Sequence, residues 1–335
     1  MKEIREIRLG TIGSGVIVHS MLDCVAQTDG IRLEAVYSRT GEKGRELAGA
    51  YGAEKVCTDL EELFADEQVN FVYVASPNSL HYRQVKAALE HGKNVICEKP
   101  FCTRSCQVTE LIGLARSRGL FLIDATPTAF LPNLEILKGA LARIGRVRLV
   151  LSCYSQYSSR YDQVLNGETP NVFSPAFAGG CLQDINYYNI YLNVALFGKP
   201  DAAVYYPNLC PTGVDSSGIA VLRYPGFVSE CAGAKDTWGV NSVQIQGENG
   251  FIYIENGSNG LTSIRVTTKE KEETLNAQPN PNRWQYEVEN LTKMVLAGDR
   301  EEAYRRLETT RRVIEVIEEI RKPAGILFGG ETQLP

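Results

Sequence analysis

Ile7-Arg8-Leu9-Gly10-Thr11-Ile12-Gly13-Ser14-Gly15-Val16-Ile17-Val18 is the stretch whose reading decides the fold. A compact apolar strand, Ile7 to Ile12, ends in a glycine turn and passes into the helical run Val18 to Gln27. Gly13 permits the tight turn. Gly15 lets backbone approach a pyrophosphate at the helix N-terminus, where free N–H groups and the helix dipole favour an anion. The expected phosphate cradle is therefore Gly13, Ser14, Gly15, Val16 and Ile17. The pattern reads G-x-G-x-x-V, with Val18 where glycine or alanine is usual, so a plain strand–turn–helix explains it nearly as well. Its place at the head of a βαβ unit favours a dinucleotide.

Outward from this turn, strands and helices alternate. Strands are expected at Ile31 to Tyr37, Phe71 to Ala75, Val95 to Cys97 and Leu120 to Asp124. Helices are expected at Gly44 to Tyr51, Ser79 to His91 and Gln107 to Arg118, with a capping box at Thr58-Asp59-Leu60-Glu61. Phe71 to Ala75 is apolar throughout, as when both faces of a strand are covered. Strands separated by helices of this length predict a doubly wound parallel sheet over residues 1–125.

The tip of the second strand selects the dinucleotide. A carboxylate there would bind the ribose 2′-hydroxyl and repel a 2′-phosphate. Here stand Ser38, Arg39 and Thr40: two hydroxyls and a guanidinium that can hold a 2′-phosphate, the guanidinium also able to stack on adenine. NADP is expected, with NAD as the alternative.

Glu98-Lys99-Pro100 closes the next segment. Pro100 keeps Lys99 extended, which delivers the lysine at the carboxyl edge of the sheet, where such sheets bind ligands. Ser76, Pro77, Asn78 and His81, in the loop after the preceding strand, join Glu98 and Lys99 as expected cofactor contacts.

Residues 126–335 change character. Strands are expected at Val147 to Cys153, Ala202 to Tyr206, Gly218 to Tyr224, Phe227 to Gly233, Val240 to Gln246 and Phe251 to Glu255, with late helices at Gln285 to Ala297 and Glu301 to Arg321. This predicts an α+β domain with a large open, mostly antiparallel sheet. A shared interface with the first domain, holding the ligand cleft, is the expectation. Residues 154–180 have no clear period and carry Tyr157, Arg160 and Asn171, expected to meet substrate; structureless stretches of this length are usually functional. Asp184 and Tyr188 follow the Gly179-Gly180 pair and, four apart, are expected on one face of one helix.

Composition narrows the function. The chain has 335 residues, 44% apolar, and a net charge of −5, which gives no electrostatic footprint for nucleic acid. No apolar run approaches the roughly 20 residues needed to span a bilayer. Nine cysteines without framework spacing suit a reducing cytoplasm. Cys102 and Cys106 have no accompanying His or second Cys pair, so no metal is expected.

Gly13-Ser14-Gly15, Pro77-Asn78…His81, Glu98-Lys99-Pro100 and Gly179-Gly180…Asp184 together resemble the glucose-fructose oxidoreductase / inositol dehydrogenase / rhizopine catabolism (Gfo/Idh/MocA) family. The resemblance implies a catalytic Lys99 beside the nicotinamide and an acid, Asp184, against the substrate hydroxyl. Tyr188 stands where the family usually has histidine, and Asn186 where it commonly has glycine. A tyrosine there is similar to the branch containing glucose-fructose oxidoreductase and the dimeric dihydrodiol dehydrogenases, many of which prefer NADP. The implied activity is hydride transfer between a nicotinamide and a secondary alcohol or carbonyl of a sugar, polyol or cyclic diol, in a homodimer or tetramer. The same resemblance also covers non-catalytic NAD(P)-binding sensors and NAD-dependent glycosidases.

A phenol has a pKa of about 10, and lowering it by ~2–3 units takes roughly 3–4 kcal/mol. A lysine charge about 4 Å away, at an effective dielectric of about 20, offers ~4 kcal/mol. Lys99 therefore suffices to activate Tyr188 if the two side chains meet. Asp184 is expected to hold Lys99 or to bind a substrate hydroxyl.

Overall fold

A computed structural model describes residues 3–329 and 331. Among these the chain divides into two compact units. The first runs to Cys102 and takes in Cys106–Thr126 and Trp284–Glu308; the second comprises Thr103–Ser105, Pro127–Arg283 and the chain from Thr309 on. The stretch 126–335 is thus not one continuous domain.

The first unit holds β1 (Ile7–Ile12), α1 (Val16–Val25), β2 (Ile31–Tyr37), α2 (Gly41–Tyr51), β3 (Lys55–Cys57), α3 (Leu60–Ala65), β4 (Phe71–Val74), α4 (His81–Glu90), β5 (Asn94–Glu98), α5 (Ser105–Arg118) and β6 (Leu122–Ala125). The strands lie in the order β3-β2-β1-β4-β5-β6, and every pairing is parallel. This is the doubly wound order of dinucleotide-binding folds, whose chain reverses direction between β1 and β4. β4 is buried at every position, as its apolar run requires. The cap of α3 is Asp59, whose carboxylate accepts from the Glu61 N–H at 3.1 Å. Thr58 lies one residue outside, so the expected capping box is displaced by one.

The second unit contains α6 (Pro132–Ala140), β7 (Val147–Ser155), α7 (Tyr161–Leu165), α8 (Cys181–Asp184), α9 (Asn186–Phe197) and strands β8 (Ala202–Leu209), β9 (Asp215–Tyr224), β10 (Phe227–Ala234), β11 (Ser242–Gly247), β12 (Gly250–Glu255), β13 (Ser263–Thr268) and β14 (Glu272–Leu275). The strands form one sheet, β14-β13-β12-β11-β7-β10-β9-β8, antiparallel except where β7 meets β10. One face of β9 and β10 packs under α8 and α9 around Tyr187, Ile190, Tyr191, Ala220, Leu222 and Cys231. Five elements, β3, α6, α7, β13 and β14, escaped the sequence reading. Pro132 at the first helical turn and buried Leu134, Leu137 and Ala140 mark α6. Ile264 and Val266 alternate inward along β13, and Leu275 is the single apolar residue of β14.

The last helices are α10 (Arg283–Leu296) and α11 (Arg300–Arg321). Their return to the first unit is held by contacts distant in sequence. Gln285 Nε2 donates to Thr28 Oγ1 at 3.1 Å, and Tyr304 Oη to the Leu120 carbonyl at 2.6 Å.

Candidate active site

The carboxyl edge of the parallel sheet is built for an anion. Gly13 has φ +125°, and a Cβ there would lie 2.6 Å from the Ala75 carbonyl oxygen, so only glycine lets the β1 turn pass the end of β4. Gly15 is the N-cap of α1 and makes no side-chain cap. A Cβ built on Gly15 meets nothing within 4 Å, and Val16 beside it is 84% exposed. An open, uncapped helix start of this kind fits a dinucleotide pyrophosphate on the N–H groups of the first turn. Val18 is fully buried in the core, which explains why the third position of the glycine pattern tolerates a valine.

At the tip of β2 the three expected residues separate. Arg39 and Thr40 are exposed, and Thr40 begins α2 without a side-chain cap. Ser38 is 7% exposed, with its Cβ against the turn of α2 at Gly44. Sequence reasoning missed Arg45, whose guanidinium lies 3.0 Å from the Cβ position of Gly41 at the same helix start. The i,i+4 spacing of Gly41 and Arg45 at the start of α2 is the signal that would have found it.

Lys99 follows β5 directly and is half-buried, on a cis peptide bond to Pro100. Glu98 turns inward: its Oε1 accepts from Tyr73 Oη at 2.6 Å and its Oε2 from the Lys99 N–H at 3.2 Å. Burial pushes its carboxyl up to about 7; Tyr73 and Lys99 oppose this and Asp124 adds to it. His81, 1% exposed, sets one ring nitrogen 3.0 Å from the Pro100 carbonyl and the other 2.8 Å from that of Ser76. It ties the β4 loop to the Lys99-Pro100 segment. Burial pushes its imidazole down, outweighing the pull of the two carbonyls upward. Ser76 also donates to Gln84, while Pro77 and Asn78 are half-buried where the chain enters a short turn before α4.

In the second unit Gly179 and Gly180 are required by close approaches. A Cβ on Gly179 would sit 2.6 Å from Val172 backbone, and one on Gly180, at φ +116°, would sit 2.3 Å from Asp215 Oδ1. The expected single helix over Asp184 and Tyr188 is broken: α8 ends at Asp184 and α9 begins at Asn186. Asp215 holds the start of α8. Its buried carboxylate accepts from the Leu182 N–H and from Tyr205 Oη, each at 2.6 Å.

Asp184 Oδ2 pairs with Lys235 Nζ at 2.9 Å. Sequence reasoning missed Lys235 because nothing local links the end of β10 to α8. Tyr188 is 5% exposed and packs with Tyr154, Cys181 and Ile185; the Tyr154 ring meets it edge-on at 5.8 Å. Tyr154 Oη accepts from Asn259 Nδ2 at 2.6 Å, beside a cavity of about 290 Å³ that both residues line with Gln278 and Arg283. Asn186 fastens α9 to β10, its Nδ2 donating to the Cys231 carbonyl at 2.8 Å, and Gly233 leaves the room for it.

The other expected substrate residues lie in the loop after β7. Tyr157 stacks on Trp238 at 5.7 Å and donates to Asp162 at 2.6 Å; Arg160 and Asn171 are exposed. The loop is not structureless, since α7 and two short 3₁₀ turns occupy it.

The family described as "Oxidoreductase family, NAD-binding Rossmann fold" (GFO/IDH/MocA) matches residues 7–125, and its C-terminal domain matches residues 140–253. This chain belongs to the GFO/IDH/MocA family. As a GFO/IDH/MocA protein it is an oxidoreductase whose first unit is an NAD-binding Rossmann domain. It is similar, at 34% identity over 97% of this chain and 99% of the other, to an uncharacterised oxidoreductase, YgjR, of Escherichia coli (strain K12). It is 35% identical to the NADP(+) scyllo-inositol 2-dehydrogenase IolU of Bacillus subtilis (strain 168), over 96% and 98% of the two chains. In fold it is similar to a 3-ketoreductase from Actinomadura kijaniata solved with NADP and TDP-benzene. The TM-score is 0.83 at 21% identity, covering 96% of this chain and 99% of that one.

Proposed function

We propose that this GFO/IDH/MocA protein is an NADP-dependent dehydrogenase acting on a secondary hydroxyl of a sugar, a polyol or a cyclic diol. A cyclic polyol is the substrate class its Bacillus subtilis relative favours. The observation that carries the reading lies within the first unit. Lys99 stands at the carboxyl edge of β5, on the same sheet edge as the open, uncapped start of α1. A cation is thereby supplied at the edge where the dinucleotide cradle opens.

Arg39, one residue before the Thr40 N-cap, and Arg45 in the first turns of α2 support NADP: two guanidiniums near an uncapped helix start suit a dianionic 2′-phosphate. When bound, the nicotinamide supplies the acceptor or donor of the hydride. Tyr188 takes the hydroxyl proton in oxidation and returns it in reduction. The Lys99 ammonium polarises the substrate oxygen. Asp184 accepts a hydrogen bond from a substrate hydroxyl and orients the ring.

The open face of the second unit's sheet supports a homodimer. Val204, Tyr206, Ile219 and Val228 are exposed on β8, β9 and β10, and their strand register places them on one face. Sheets of this kind need that face covered. All nine cysteines are free thiols, which fits a reducing cytoplasm. Among the described residues no helix is long and apolar enough to cross a membrane.

The test is a screen of inositols, sugars and cyclic diols with NADP, followed by nicotinamide absorbance. Turnover of one class is expected. Tight NADPH binding with no turnover across the panel would make the protein a sensor. Release of an aryl leaving group without net cofactor change would make it a glycosidase.

A further inference from the structure

Lys235 is a buried cation that the reaction described above does not use. Its side chain is 3% exposed. The ammonium lies 2.9 Å from Asp184 Oδ2, donates to the Val172 carbonyl at 3.1 Å and stands 4.6 Å from the centre of the Phe173 ring. The same Val172 carbonyl accepts the Gly180 N–H at 3.0 Å. Lys235 thus joins the loop before the glycine pair to the carboxylate that ends α8.

The surroundings are acidic. The thiol of Cys181, pushed up mainly by burial, also feels Asp215, Asp184 and Asp236 upward and Lys235 downward. Asp215 is buried on β9 and held by Tyr205 from β8 and by the Leu182 N–H. Asp236 follows Lys235 and accepts from Ser217. Tyr187 and Tyr188 come from α9. The ammonium is in direct contact with Asp184, and Asp215 also feels its charge. Burying a lysine for stability alone is a poor bargain, since an apolar side chain of similar size would usually stabilise as well.

We propose that Lys235 is a positioning residue of the reaction, whose ammonium keeps the Asp184 carboxylate ionised and in one orientation towards substrate. The proposal rests on the reading of Asp184 as a substrate-binding acid. With Lys235 in place, Asp184 presents a charged acceptor despite its acidic neighbours. Without it, the carboxylate takes up a proton at higher pH and can swing, so substrate binding weakens as pH falls.

The test compares the parent with Lys235→Met, Lys235→Arg, Asp184→Asn and the double variant Lys235→Met/Asp184→Asn. One readout needs no substrate: carboxyl NMR titration of Asp184, assigned by its loss in Asp184→Asn. The other is the pH profile of kcat/KM, with KM and kcat separated. In Lys235→Met the Asp184 titration should move up by about 1–3 pH units, as expected on loss of an adjacent cation. The acid limb of kcat/KM should move with it, and the change should fall mainly on KM. Lys235→Arg should keep the parental limb, and the double variant should be no worse than Asp184→Asn. If Lys235→Met does not fold, Lys235→Gln carries the same expectation, since it keeps a donor for Val172 and removes the charge. An unmoved titration and limb in the neutral variant, beside a crippled Asp184→Asn, would overturn the proposal alone. Parental rates and profile in Asp184→Asn would overturn the role of Asp184 and the proposal with it.

Discussion

Tyr73 Oη donates to Glu98 Oε1 across 2.6 Å, with both side chains buried inside the parallel sheet one residue before Lys99. The motif acid is thus a buried carboxyl with a phenol for a partner. Burial raises it from 4.5 to about 7. The folded state therefore holds a proton that the unfolded chain releases between those values, and stability falls as pH rises through that window. Above it the deficit is constant, at most about 3 kcal/mol. Glu98→Gln should flatten the dependence of urea midpoints between pH 5 and pH 7.5. An unchanged slope in the variant would refute this account of Glu98.

Lys99→Ala should nearly abolish turnover while leaving NADPH binding measurable by fluorescence, because the proposed phosphate cradle lies at the start of α1. Tyr188→Phe keeps the buried ring against Tyr154 and removes only the hydroxyl. It should cost the ~10²–10⁴-fold typical of general acid–base catalysis and delete one limb of the pH–rate profile. Full activity in Tyr188→Phe would pass the role to Tyr187 or Tyr191.

The 2′-phosphate should be read by Arg39 and Arg45. Either residue changed to Ala should weaken NADPH more than NADH, each by roughly 10-fold or more, as expected for a charge-assisted contact of about 1.5–3 kcal/mol. Titrations in which the parent binds NADH more tightly would contradict the cofactor assignment.

Arg321 is fully buried and grips Glu331 through two bonds of 2.6 and 2.7 Å. The guanidinium holds the Glu331 carboxyl down at about 2. Because the folded value lies below the unfolded one, this stabilisation is present above about pH 4.5 and is lost as pH falls towards 2. Glu331→Gln strands the guanidinium and should lower stability by roughly 3–5 kcal/mol at pH 7. The variant should also lose less stability than the parent on acidification. A Tm unchanged at pH 7 would show that Arg321 finds another partner.

Light scattering at micromolar concentration should give twice the 37.0 kDa of one chain. Tyr206→Glu places a charge on the open sheet face and should yield the single-chain mass. A single-chain mass in the parent would remove the dimer.

The first unit was largely legible because its signals are local. Strand–glycine–helix, covered apolar strands and Lys99 before a proline all lie within a few residues of one another, where period and backbone sterics act. The long strands of the second unit were readable from alternation for the same reason. β14, with Leu275 its single apolar residue, carried no such signal, and α6 lay among prolines that read as loop. The start of α8 is held by Asp215 from a strand far along the chain. The Lys235 partner of Asp184 likewise comes from a distant segment. The charge and backbone donors of these side chains are written in the residue types, but which opposite charge reaches them is decided only when burial removes water as the competing partner. Tertiary packing alone brought Lys235 to Asp184 and turned Glu98 inward to Tyr73.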